Sequence, residues 1–372
     1  FGSGNGNVNS GLNTNPNLIA NTQITWERTK QVNYGLDVAA FKNRVNLAVD
    51  VYSSTTEALL LQQPSMAFTG GLFFNNNIGR IQNNGVEVEL SSINITTKRF
   101  KWTTALNFSR NKNNIIELGK ELLILNQGER TELYLNQPGN PLIQFFGYKT
   151  DGVWLSQQEI IDAQAKGLTT TLGSTVFVPG GLKLVDVNGD NVIDANDRTV
   201  IGNPYPKFTW GITNSFNYQS FDLSFTFQGV QGGNLINGDR NYNESRRYIK
   251  EYTENRWISP ANPGDGKTPY STIGYNWMLT DYAVEDASYV ALREVLLGYT
   301  VNSKLAKKVG LSGLRVYASA QNLLFFFPSG YKGLNPEARS ASSFYASPLI
   351  DGYQRGGFPT SRSFLFGIDI NF

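Results

Sequence analysis

Residues 186–198 read DVNGDNVIDANDR and place oxygen-bearing side chains at regular intervals. Asp186, Asn188, Asp190, Asp194 and Asp197 fall at positions 1, 3, 5, 9 and 12 of a twelve-residue loop, and Val192 offers its carbonyl at position 7. This is the spacing of an EF-hand calcium loop, and calcium takes six to eight oxygens at flexible geometry. Ile193 at position 8 is expected to pack inward. Position 6 holds Asn191 where such loops carry glycine, and asparagine tolerates a left-handed backbone better than most residues. Asp197 is shorter than the usual glutamate. The expected ligand is Ca2+ in a structural role, with a solvated Asp/Asn turn without metal as the other reading. Neither flank reads as a helix, so the loop must be positioned by other elements.

Composition narrows what those elements serve. The 372 residues include no Cys and no His, which removes thiolate chemistry, Cys-based zinc sites and the commonest general base. A membrane-embedded hydrolase, which generally pairs Ser or Asp with His, is disfavoured on the same ground, and no catalytic site is expected. A net charge of +2 gives no field for nucleic acid. Charged residues are 17% of the chain, against roughly 25% in soluble proteins, while aromatic residues reach 13%. No apolar run approaches the ~18 residues of a membrane helix. The opening FGSGNGNVNSGLNTNPN is no signal peptide and reads as the middle of a loop.

Period-two alternation is the dominant pattern. In SFLFGIDINF, Phe364, Phe366, Ile368, Ile370 and Phe372 share one face, and Leu365, Gly367, Asp369 and Asn371 the other. Similar alternation starts at Val32, Val45, Val86, Trp102, Phe208, Phe221, Val295 and Val316, giving about nine strands near the ~10 residues that cross a bilayer when tilted. The apolar faces are rich in Phe, Tyr and Trp. The opposite faces carry Asn, Ser, Thr, Gly and single acids. That composition suits lipid on one side and a water-lined lumen on the other, whereas a soluble sandwich would place Lys and Glu on its polar face.

The connections alternate as well. Links after the odd strands are short (AFKNR, SSINITTKR, YQSF and the region of NSKLAKKVGLSG). Links after the even strands are long: about 54–79, 110–206, 229–287 and 324–360. Short periplasmic turns and long outer loops are the expected outer-membrane arrangement. The acidic loop then falls in the longest outer connection, where no core is expected to order so much chain and a cation would do so instead. An odd strand count cannot close the usual even-stranded barrel, so this chain is expected to be part of a larger one.

These blocks resemble a known family. NPNLIANTQITWERTKQVNYGLDVAAFKNRVNLAVDVY, IGRIQNNGVEVEL, DVNGDNVIDANDRTVIGNPYPKFTWGITNSF, FDLSFTFQG, DASYVALREVLLGYT, LRVYASAQNLLFF and the closing FGIDINF are similar, in order, to blocks of the SusC/RagA family of TonB-linked outer-membrane transporters. The resemblance implies an all-β fold: the C-terminal part, about the last nine strands, of a 22-stranded transmembrane antiparallel β-barrel with a plugged lumen, its plug and N-terminal strands lying outside these residues. It also implies import of oligosaccharides or oligopeptides, a SusD-like surface lipoprotein as lid, and TonB acting through the missing N-terminal part. Neither step is enzymatic. The competing reading is a calcium-dependent surface adhesin or glycan-binding β-protein without transport. Two aromatic clusters, QFFGYKTDGVW (144–154) and NPYPKFTW (203–210), read either as loop packing or as stacking surfaces for sugars or peptide side chains. SQQEIIDAQAK (156–166) reads as a short loop helix with Ser156 as its cap, and 240–257 as a second loop helix.

Overall fold

The computed structural model describes residues 18–19, 21–64, 73–119, 124–128, 132–240, 250–270, 278–308, 310–333, 335–338, 349–354 and 357–372. Nine long strands dominate: β1 (Arg28–Ala40), β2 (Val45–Pro64), β3 (Phe73–Thr96), β4 (Phe100–Leu118), β5 (Phe208–Tyr218), β6 (Phe221–Gln231), β7 (Tyr289–Thr300), β8 (Gly313–Phe326) and β9 (Ser363–Asn371). Each pairs antiparallel with its sequence neighbour, so the order in the sheet is the order in the chain. A short stretch, Leu18–Ile19, runs parallel to the start of β3. Within this chain β1 and β9 each have one neighbour, and the ladder stays open.

Two of the odd links reverse the chain through left-handed backbone. Phe41, Lys42 and Asn43 turn β1 into β2 at φ 53, 57 and 63, and Gln219 turns β5 into β6 at φ 53. Residues 97–99 join β3 to β4, and a six-residue helix, Ser303–Lys308, sits between β7 and β8.

Among the described residues no second layer covers the apolar face. Phe366 is 80% exposed and Tyr34 75%, while Val49 and Phe225, on inner strands, are screened only in part by neighbours. Its aromatic contacts run sideways along the sheet: Trp102 meets Phe216 at 5.6 Å and Phe216 meets Phe225 at 5.9 Å.

Two expectations need correction. The first long loop does not span 54–79, because β2 continues to Pro64 and β3 resumes at Phe73; residues 65–72 lie outside the described residues. The other long connections likewise run 119–207, 232–288 and 327–362. Alternation marks only the stretch with an apolar face, whereas the backbone ladder continues through polar, half-buried Thr55, Thr56, Asn75, Asn77 and Asn83.

The second correction concerns order in the outer connections, which do have cores. Tyr148, Val153, Leu182, Ile193, Trp257 and Met278 belong to one buried cluster, and Tyr134, Ile143, Phe145, Ile236 and Leu279 to another. Small sheets support them: Gln144–Gly147 pairs with Leu133–Asn136 and Thr199–Gly202, Thr150–Val153 with Leu182–Leu184, and Asn234–Asn237 with Val284–Asp286 and Tyr353–Gln354. Aromatic residues far apart in sequence supply the apolar area that irregular chain alone lacks.

Candidate functional site

The acidic loop is tied to this loop core through its middle. Val192–Ile193 pairs parallel with Thr169–Thr170, Thr169 N–H donates to the Asn191 carbonyl at 2.8 Å, and Ile193 is buried at 1% exposure. Asn191 takes φ 64, the left-handed conformation expected of it, and Ile193 faces inward as expected.

The candidate ligands satisfy the loop's own backbone. Asp186 accepts from Gly189 N–H and Asn191 N–H, each at 2.7 Å. Partial burial works against ionisation there, but the N–H donors of Asn191 and Gly189 outweigh it and hold the carboxyl below its ordinary range. Asn188 accepts from Asp190 N–H at 3.0 Å, Asp190 from Val192 N–H at 2.8 Å, and Asp194 from Asn196 N–H at 2.6 Å. Asp197 is wholly buried and accepts from Val187 N–H and Asp194 N–H, both at 2.8 Å, which closes the loop on itself.

In chemical type this donor set fits calcium, being hard oxygen throughout. Among the described residues, however, no three acidic side chains are grouped closely enough to hold an ion alone. A cation would need Asn188 and the Val192 carbonyl as well.

The aromatic clusters read as packing. Phe145, Tyr148 and Trp154 are essentially inaccessible; Trp154 donates to the Val176 carbonyl at 3.0 Å, and Tyr205 packs against the second core cluster. The helix α1 spans Gln157–Ala165, with Ser156 Oγ accepting from Glu159 N–H at 3.2 Å and Glu159 accepting in turn from Leu155 N–H at 2.8 Å. Of the second expected loop helix, Lys250–Asn255 is helical and 241–249 lies outside the described residues.

The polar face offers a different surface. The sheet curls so that Asp37, Ala48, Glu89, Asn107, Thr213 and Thr226, from six consecutive strands, line a concavity of about 530 Å³. Hydrogen bonds knit the face together: Thr213 to Thr226 at 2.8 Å, Asn33 to Asp50 at 2.9 Å, and Arg315 to Asp222 at 2.7 Å and Asp369 at 3.1 Å. Periodicity alone does not reveal Asn214, which sits among the aromatics of the apolar face. Its Oδ1 accepts from Trp102 Nε1 at 2.9 Å and Thr104 Oγ at 2.7 Å, so the polar group is satisfied where lipid could not satisfy it.

No protein-family profile matches the chain. TonB-dependent receptor P3 of Formosa agariphila is 34% identical over 367 residues, covering 95% of this chain and 35% of that protein. TonB-dependent receptor SusC of Bacteroides thetaiotaomicron is 26% identical over 366 residues, covering 95% and 32%. A solved structure of the RagAB peptide importer in its open-open state superposes with a TM-score of 0.70 at 23% identity, over 94% of this chain and 35% of that one. The chain thus spans about a third of the length of the curated relatives it matches. Sequence likeness over nearly the whole chain and the open nine-strand ladder agree: this is a portion of the β-barrel of a TonB-dependent receptor of the SusC/RagA family.

Proposed function

We propose that the chain is the C-terminal part of an outer-membrane importer for large nutrients, oligosaccharides or oligopeptides. The rest of the barrel and a plug complete it, a SusD-like lipoprotein covers the outer mouth, and TonB drives passage through the N-terminal part. The long connections face the cell exterior and the short turns the periplasm. The observation that carries this reading is the unpartnered apolar face of the ladder, with Phe366 four-fifths exposed and satisfied polar groups opposite. Relatives named as receptors and a likeness to a peptide importer support the activity. Passage through such a barrel breaks no covalent bond, so no catalytic residue is assigned. The test is uptake: cells lacking the full-length gene should lose import of one glycan or peptide class, and the intact protein should co-purify with a surface lipoprotein. Unchanged uptake across both classes would overturn it.

In the acidic loop, Asp186, Asn188, Asp190, the Val192 carbonyl, Asp194 and Asp197 are proposed to hold Ca2+ weakly, with a dissociation constant of roughly 10⁻⁴ to 10⁻³ M, as extracellular modules do. Because the loop already rests on an apolar core, the ion would stiffen the segment instead of folding it.

A further inference from the structure

The four short links share one sign of charge. Residues 41–44, 97–99, 219–220 and 301–312 contain Lys42, Arg44, Lys98, Arg99, Lys304, Lys307 and Lys308 and not one Asp or Glu, although the chain as a whole is nearly balanced at +2. Arg44 is occupied, donating to the Ile93 and Asn94 carbonyls at 2.9 and 2.8 Å. The other six are exposed, and among the described residues none has an acidic partner. Six unpaired cations along one rim repel each other unless something anionic faces them.

A separate feature sets their depth. Just inside these links lies a band of aromatics on the apolar face. Phe221 meets Tyr299 at 4.8 Å, Phe100 meets Phe216 at 6.4 Å, and Tyr218 pairs across the ladder with both Phe100 and Phe221. Aromatic side chains with one apolar and one polar end collect at headgroup level. Lys98 and Arg99 directly precede Phe100, and Lys42 follows Phe41, itself 77% exposed. In the short helix between β7 and β8, Ala306 is buried while Leu305 is 56% exposed beside Lys304, Lys307 and Lys308. An exposed leucine flanked by lysines is the pattern of a helix lying in a bilayer interface.

We infer that this rim is a binding surface for anionic phospholipid headgroups of the leaflet at the short-turn side, with Lys42, Lys98, Arg99, Lys304, Lys307 and Lys308 as the cationic contacts. The inference rests on the membrane reading above. Headgroup phosphates neutralise the rim and fix the depth and tilt of strands β3 to β8 in the bilayer.

The experiment uses the full-length receptor in detergent, with phosphatidylglycerol or phosphatidylcholine added and retained lipid counted by native mass spectrometry. The unaltered protein should keep phosphatidylglycerol in preference. Retention should fall about tenfold or more, the scale expected for removing five cations at headgroup depth, in a variant carrying Lys98→Gln, Arg99→Gln, Lys304→Gln, Lys307→Gln and Lys308→Gln. Arginine at the four lysine positions should preserve retention, as should Lys149→Gln, Lys166→Gln and Lys267→Gln in the long connections. Phosphatidylglycerol retention by the unaltered protein should also fall as salt rises to about 1 M, where screening acts within ~3 Å, so the idea stays testable if a variant fails to fold. Equal retention by the rim variant, equal loss in the long-connection variant, or salt-independent retention would overturn the proposal. A receptor that stays monodisperse without detergent would instead overturn the membrane reading beneath it.

Discussion

Tyr317 on β8 lies directly across the ladder from Gly367 on β9, and a Cβ at position 367 would come within 2.2 Å of its ring. The glycine leaves a bare stretch of sheet that the aromatic ring covers. Tyr52 over Gly85 and Trp210 over Gly229 repeat the arrangement, at 2.3 and 2.1 Å. The three pairs fix register at the aromatic as well as the backbone level.

Gly367→Ala therefore forces the Tyr317 ring aside and should destabilise the barrel by about 1–3 kcal/mol, the usual cost of overpacking. Adding Tyr317→Ala should recover part of that loss. Heat-modifiability of the full-length protein on gels reads both, and two independent, additive losses would contradict the pairing.

Trp257 closes the loop core: its Nε1 donates to the Leu155 carbonyl at 3.0 Å and Gly180 lies under its ring. Trp257→Ala should loosen that core by about 3–5 kcal/mol. Limited proteolysis between residues 150 and 270 should quicken while the heat-modified barrel band stays unchanged, because the nine-strand ladder does not depend on this cluster.

Asp197→Ala would remove a buried carboxylate and leave the part-buried N–H groups of Val187 and Asp194 without their acceptor, at up to about 1–3 kcal/mol per group. Hydrogen exchange across 186–198 should accelerate whether or not calcium is present. Asp190→Ala removes an exposed acceptor that water can replace at Val192 N–H, so it should change calcium-free exchange less than Asp197→Ala does and abolish the slowing that millimolar calcium produces. If calcium slows exchange equally in that variant, the proposed ligand set is wrong.

Tyr331 packs with Leu235 and Ala287 in the connections. Burial first, and then the nearby Glu285 carboxylate, raise its hydroxyl above the ordinary value of 10.0. A raised folded-state value stabilises below the unfolded value and is lost as pH climbs past it. Local order near 331 should thus weaken above about pH 10, and Tyr331→Phe should flatten that dependence in hydrogen exchange.

The nine strands were legible because lipid and lumen impose a two-residue rhythm that no loop imitates. Past Thr55 the rhythm breaks although the ladder runs on to Pro64: Leu59, Leu60 and Leu61 follow one another, and Leu61 is buried in a cluster with Ile115, Leu118 and Leu349, so the strand end is invisible. Loop packing was hidden for another reason: Trp257 meets Leu155 across 102 residues, and alternation carries no record of such contacts. The acidic loop showed its turn geometry plainly through Asn191 and Ile193. That its carboxylates would cap their own backbone does not follow from spacing. Asn214 looked anomalous on its face until Trp102 and Thr104 supplied its partners.

The central claim is tested most directly by spin labels placed singly at residues 364, 365, 366, 368 and 369 in the full-length protein in lipid bilayers, leaving Gly367 in place under the Tyr317 ring. Collisions with dissolved oxygen, which concentrates in hydrocarbon, should be high at 364, 366 and 368 and low at 365 and 369. A flat profile, or one unchanged when the bilayer is removed, would contradict the account.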